Sequence, residues 1–167
     1  LGDAGITEPS RPSRRTGFEA TQTLTLASWA SLDLDLAYSR ARFTAFDPAG
    51  DRIPGAVEGV GSLSLNLRPA QAWQVTVGLR HFGARPLVED ASVRSTGSTL
   101  ASVRATVEPM PRLRLTAEVF NLGNSRASDI DYFYRSRLPG EPEEGVDDIH
   151  FHPVEPRTVR LGVGWRF

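Results

Sequence analysis

The sequence predicts an all-β chain of antiparallel membrane-spanning strands, a stretch of transmembrane barrel with long loops at one end and short turns at the other. Three observations carry this. Stretches in which apolar and polar residues alternate with period two recur along the whole length of the 167 residues, the pattern of strands with two unlike faces. The apolar phase holds no Asp, Glu, Lys or Arg, whereas the opposite phase holds ten charged residues. Short and long connections alternate without exception, as in barrels with turns on one side of a membrane and loops on the other.

Seven strands follow in order. Residues 17–27 place Phe18, Ala20, Leu24 and Leu26 opposite Glu19, Thr21, Thr23 and Thr25. Residues 31–38 place Leu32, Leu34, Leu36 and Tyr38 opposite Ser31, Asp33, Asp35 and Ala37. The third strand, 57–67, sets Leu63, Leu65 and Leu67 against Ser62, Ser64 and Asn66; the fourth sets Trp73, Val75, Val77 and Leu79 against Gln74, Thr76 and Arg80. Ala101, Val103, Ala105 and Val107 mark the fifth, and Leu113, Leu115, Ala117 and Val119 the sixth. The seventh carries Val159, Leu161, Val163, Trp165 and Phe167. Between them the turns near Ser28, at Arg68–Gln71 and at Pro109–Pro111 are short, while 44–55, 82–97 and 121–157 are long.

A soluble sandwich with its apolar face inward produces the same alternation. It gives no reason for the connection lengths to alternate, and the barrel does. Strands of about ten residues at roughly 3.3 Å each, tilted by about 40°, span the apolar band of about 25 Å in such barrels. Trp29, Trp73, Trp165 and Phe167 gather at the short-turn end, and Tyr38, Phe43 and Phe46 at the other, where lipid interfaces favour aromatics.

Composition removes other classes. All 19 cations are Arg against 20 Asp and Glu, a net charge of −1, so no attraction to nucleic acid follows. Cysteine is absent, which excludes thiolate metal sites and cysteine catalysis. The opening LGDAGITEPSRPSRR has no apolar h-region and no cleavage site, and reads as the tail of an outer loop in a longer protein. Strand parity agrees. The first and seventh strands run in the same direction, so closing seven strands on themselves would force a parallel pair, and leaving edges open in hydrocarbon is costly.

Specific residues now resemble a family. Arg15-Thr16-Gly17-Phe18-Glu19 resembles the R-x-G-[VF]-E entry to a late barrel strand of TonB-dependent outer-membrane receptors, and Arg52-Ile53-Pro54-Gly55 their I-P-G segment. Val119-Phe120-Asn121-Leu122-Gly123-Asn124 is similar to their V-x-N-L-F-[ND] box, with Gly123 in place of the usual aromatic. The ending, with Gly162, Trp165 and Phe167, resembles the terminal signal read by the barrel assembly machinery. The resemblance implies about the last seven strands of a 22-stranded barrel, with residues 1–167 its C-terminal part and the plug domain and upstream strands absent. It implies a bacterial outer-membrane location and active uptake of a scarce solute such as a ferric siderophore. The implied partners are outer-membrane lipid, the missing plug and strands, and TonB through an absent N-terminal region. A porin-like barrel fragment and a soluble all-β binding module are the alternatives.

No catalytic motif is present and no cofactor is implied. Asp33 and Asp35 share one strand face and read as lumen-lining groups. Tyr132, Phe133, Tyr134, Arg135 and Arg137 in the longest loop combine aromatic faces with guanidinium groups, which suits an anionic, ring-bearing chelate; packing against neighbouring loops is the competing reading. His150 and His152 share a side if that stretch is extended, and with Asp147 or Asp148 they are weak candidate metal ligands. Glu141, Glu143, Glu144, Asp147 and Asp148 make the loop acidic, a solvated run or a hard-cation site. Arg80, Arg104, Arg114 and Arg160, alternating with Glu19, Glu58 and Glu118, are expected to form charge ladders facing the lumen.

Overall fold

A computed structural model describes residues 11–167; the first ten residues, and with them most of the segment read as an outer-loop tail, lie outside the described residues. The strands are β1 (Ser13–Ala27), β2 (Ala30–Phe43), β3 (Gly59–Ala70), β4 (Trp73–Phe82), β5 (Ser98–Met110), β6 (Leu113–Phe120), β7 (Ser128–Ser136), β8 (Val146–Pro153) and β9 (Thr158–Trp165). Seven of them form one antiparallel sheet in the order β1-β2-β3-β4-β5-β6-β9. These are the seven strands of the alternation. β7 and β8 form a separate hairpin inside the segment 121–157, which the sequence reading takes as unbroken loop.

Register turns the alternation into two chemically distinct faces. Leu24, Leu32, Leu65, Val77, Val103, Val119 and Val159 are successive cross-strand partners, one apolar row through the whole sheet. One residue away, Thr25, Ser31, Asn66, Thr76, Arg104, Glu118 and Arg160 form a wholly polar row. Side chains alternate faces along a strand, so the two rows stand on opposite sides.

Among the described residues no second layer covers the apolar face. Leu24, Leu36, Val77, Leu79, Leu161 and Val163 are exposed, and among the described residues the buried apolar side chains are Ala30, Ala41, Pro86, Leu87 and Leu100. A sandwich would bury that face against a second sheet. This sheet presents it as a single layer, as a barrel wall presents its face to lipid.

Three short turns join β1 to β2, β3 to β4 and β5 to β6, each beside a register shift, between Thr25 and Ala27, Leu67 and Ala70, and Val107 and Met110. The carbonyls of Trp29, Ala72 and Arg112 accept the N–H groups of Arg68, Glu108 and Arg166 at 2.7, 2.9 and 2.9 Å, so these turn carbonyls find backbone partners on a third strand. At the opposite end the loops 44–58 and 83–97 fold over the polar face and bury Ala41, Ser98 and Leu100 beneath them.

Two expectations need correction. Phe43 is not part of an outward aromatic girdle: it stands on the polar face, with the Arg11 guanidinium 4.1 Å from its ring centre. Phe18 takes that place, its ring 6.0 Å from Tyr38 on the apolar face. Nor is 121–157 without secondary structure. Its hairpin pairs Ser136 with Val146 and Tyr132 with His150, because aromatic and β-branched residues on both arms flank a turn with Gly140 and Gly145 at positive φ.

Candidate functional site

The long-loop end brings together segments far apart in sequence. Loop 44–58 is bound to loop 83–97 through backbone bonds from Arg52 N–H to the Glu89 carbonyl, 2.9 Å, and from Gly55 N–H to the Pro86 carbonyl, 2.8 Å. Glu58 accepts from Arg52 at 3.1 Å and from Arg94, and Arg11 pairs with Glu89 and with Asp47. Gly50, at φ +121°, lies against the Glu89 backbone where a Cβ would collide, so a side chain there would part the two loops. The Arg42 guanidinium beside Asp51 holds that carboxyl below the ordinary carboxylate range, while the Ser92 backbone N–H and hydroxyl do the same for Asp90.

The hairpin joins this assembly through Arg85, whose Nη2 donates to Asp131 Oδ2 at 3.2 Å. Both side chains are nearly buried, 13% and 5% exposed. Pro54, Gly55, Arg85 and Leu87 then face Ile130, Tyr132, Phe133 and Tyr134 across a cleft of about 420 Å³. A second groove of about 550 Å³ runs between β1, β2 and loop 44–58, lined by Arg15, Glu19, Ser39 and Glu58.

The structure brings together part of the expected ligand-binding set. Tyr132 and Tyr134 share a face of β7, exposed, and Tyr134 stacks on His150 with ring centres 3.9 Å apart. Arg135 stands on the other face, bound by Nε and Nη2 to Asp147 at 3.1 and 2.9 Å. That pair raises the Arg135 pKa and lowers the Asp147 pKa, chiefly through the hydrogen bond itself. Arg137 turns back to the Glu141 carbonyl at 3.3 Å. Both guanidinium groups therefore make contacts within the hairpin, while the two tyrosines and the ring of His150 gather on its other face.

His150 and His152 do share a face of β8, yet the structure places no group of three or more His, Asp or Glu to hold a metal ion among the described residues. Glu141 accepts the Leu138 N–H at 2.6 Å, so part of the acidic run caps the hairpin turn. Arg85 and Leu87 carry no signal in the sequence, whereas Pro54 and Gly55 belong to the I-P-G segment; Arg85 lies 46 residues from its partner Asp131.

On the polar face, Asp33 accepts from Thr23 at 2.8 Å and Asn66 at 2.7 Å, and Asp35 from Ser62 at 2.9 Å. These carboxylates are tied into a hydrogen-bond network. The charge ladder forms in part. Arg104 pairs with Glu118 at 2.8 Å, but Arg114 pairs with Glu108 and Arg160 with Glu155, at 2.6 and 2.5 Å. Glu58 serves the loops, and Arg80 lies 5.2 Å from the ring centre of Phe82.

The N-L-G-N turn after β6 is built around Asn121, fully buried at φ +49°. Its Nδ2 donates to the carbonyls of Ser125 and Glu155 at 3.0 and 3.1 Å, and its Oδ1 accepts the Ser125 N–H at 2.8 Å. Asn124 Oδ1 accepts the Arg157 N–H at 3.0 Å. The box thus clamps the two ends of the loop that carries the hairpin. Gly162 faces Thr116 and Trp165 faces Leu113 on edge strand β9, and Phe167 extends beyond it, fully exposed.

No family model and no curated protein sequence matches the chain. Solved structures do. The ferric-catecholate import receptor Fiu of E. coli K12, in its closed form, superposes with a TM-score of 0.73 at 18% identity over 99% of this chain. The ferric yersiniabactin uptake receptor FyuA of Yersinia pestis gives 0.70 at 18% over 93%, and the unliganded ferric citrate transporter FecA gives 0.71 at 20% over 93%. The chain spans 23%, 24% and 24% of those three chains. The proteins it resembles are thus receptors and transporters rather than enzymes. The fold is that of a stretch of the β-barrel wall of TonB-dependent outer-membrane receptors, with seven adjacent antiparallel strands in one sheet among the described residues.

Proposed function

We propose that the chain is the C-terminal barrel segment of an outer-membrane TonB-dependent receptor for active uptake of a scarce solute, a metal chelate of the ferric-siderophore type. It does not catalyse a reaction. The observation that carries this reading is the segregation of the sheet into one face uncharged across its middle and one polar, ion-paired face, with edges at β1 and β9 that have no strand partner among the described residues. Both edge strands run toward the short turns, so the strands that complete the barrel must be odd in number to keep every pair antiparallel. Fifteen such strands bring seven to the 22 of a plugged transporter barrel. Tyr132 and Tyr134 above the cleft are the ligand-contacting side chains, suited to stacking on aromatic chelating groups. The plug and the TonB contact lie in the upstream part of the receptor, and Gly162, Trp165 and Phe167 serve assembly at the last strand.

Cysteine labelling tests it, since the chain has no Cys of its own. In outer membranes of cells making the protein, Ser64→Cys and Ser102→Cys should react with a small water-soluble thiol reagent, and Leu65→Cys and Val77→Cys should not. The reverse pattern, or equal labelling of all four, would refute the assignment of faces.

A further inference from the structure

The apolar face is uncharged across its middle, but not at its loop end on β1 and β2. In the β1–β2 register Phe18 pairs with Tyr38, Thr16 with Arg40 and Arg14 with Arg42. These positions are two residues apart, so Arg14, Arg40 and Arg42 rise from the same face as the Phe18–Tyr38 ring pair. At roughly 3.3 Å per residue, Arg40 stands about 7 Å and Arg42 about 13 Å beyond Tyr38 along the strand. Aromatic rings on a lipid-facing wall mark the edge of the hydrocarbon. The guanidinium groups therefore lie at the level of the headgroups.

The cluster is under-neutralised. Arg42 pairs with Asp51, which Arg52 also approaches at 3.7 Å, and Arg40 contributes to lowering the pKa of the same carboxyl. Arg52 is shared further with Glu58, which already binds Arg94. Among the described residues, no carboxylate lies within ion-pair distance of Arg14 or Arg40, and both are exposed. Arg42 Nε is buried without a hydrogen-bond partner. Like charges directly opposite across a strand pair are destabilising, as Arg14 and Arg42 are here, unless an anion bridges them. At the short-turn end the same face ends in Trp73, Met110, Leu113 and Trp165, with no counterpart to the cluster.

We propose that the exposed Arg14 and Arg40, flanked by the Asp51-paired Arg42, form a docking site on the lipid-facing side of β1–β2 for the phosphate groups of a membrane lipid in the leaflet on the long-loop side. Planar guanidinium forks match phosphate oxygens two at a time, and the adjoining Phe18, Ala20 and Leu36 surface receives the acyl chains. The site rests on the barrel reading above, because only a lipid-facing wall presents these arginines to a headgroup. It is distinct from the cleft at Tyr132 and from the polar face.

The test uses the protein extracted from membranes and offered vesicles of phosphatidylcholine alone, or phosphatidylcholine doped with lipid A, a glycolipid bearing phosphomonoesters. Flotation with undoped vesicles reports the barrel reading by itself. Retention of lipid A after detergent exchange reports the site. The wild type should retain it roughly tenfold better than R14Q/R40Q, the loss expected for one or two charge-assisted pairs. R14K/R40K, which keeps the charge but not the fork, should fall between them and serves if the Gln variant does not fold. Equal retention by all three overturns the proposal. So does displacement by millimolar inorganic phosphate, which would make this a soluble-anion site. Flotation of both proteins with unequal retention upholds it; failure to float on undoped vesicles would sink the barrel reading and this site with it.

Discussion

Arg85 and Asp131, 46 residues apart, form the most enclosed ion pair among the described residues, and it holds the β7–β8 hairpin against loop 83–97. The Asp131 carboxylate is 5% exposed, so its desolvation is offset mainly by this contact. Everything the hairpin offers a ligand, Tyr132 and Tyr134 above all, depends on that anchorage.

Removing one partner should release the hairpin without unfolding the sheet. Arg85→Ala leaves Asp131 uncompensated and should cost about 2–4 kcal/mol of local stability. Amide exchange in 128–153 should accelerate while β3 and β4 keep their protection. Unchanged exchange in the hairpin would show that the pair does not anchor it.

Asn121 is expected to be among the most sensitive single positions of the long loop. Asn121→Ala removes two donated bonds and one accepted bond, at about 2–3 kcal/mol, and leaves Ala at φ +49°. Asn121→Gly should recover roughly 0.5–1 kcal/mol of the backbone part alone. Limited proteolysis within 121–157 should rank wild type, Gly, Ala in order of increasing cleavage.

The sign of a pH effect on the hairpin follows from Asp147. Its pKa is lowered in the folded state, mainly by the hydrogen bond from Arg135, so the pair's contribution is complete above the ordinary carboxylate range and is lost as pH falls through the lowered value. Both groups are exposed, so the effect is small and confined to the hairpin. Exchange of amides near Arg135 should rise only in acid below that range, and Asp147→Asn should remove this step while raising the neutral-pH rate. A hairpin that loosened near neutral pH would contradict this origin.

A charge placed on the apolar row should be tolerated far less than one placed beside it. Val77→Arg should destabilise the inserted protein by about 2–4 kcal/mol, the cost of a cation at the bilayer midplane. Ser64→Arg, whose cross-strand partner is Asp33 on the polar face, should be close to neutral. Denaturant unfolding in lipid vesicles distinguishes them, and equal costs would contradict the assignment.

The seven sheet strands were legible because a period-two pattern reports two unlike environments, and an uncharged phase persists only where water is excluded. Leu65 and Ser64 declare their faces by chemistry alone. Strand direction was legible too, since the alternation of turn lengths sets it. The hairpin was not: its faces mix Asp131 with Phe133 and Tyr132 with His150, so each phase is impure and no alternation stands out. Phe43 was misplaced for a related reason, as an aromatic at a strand end fits either side.

By itself, then, the amino-acid order determined the strands, their direction and which face is apolar, because these follow from local periodicity and hydration. Tertiary structure decided which loops touch, that Arg135 pairs with Asp147 within the hairpin, that Arg85 reaches Asp131, and that Arg14 faces Arg42. Such contacts depend on strand register and loop closure over tens of residues, and neither leaves a mark in the spacing of residue types.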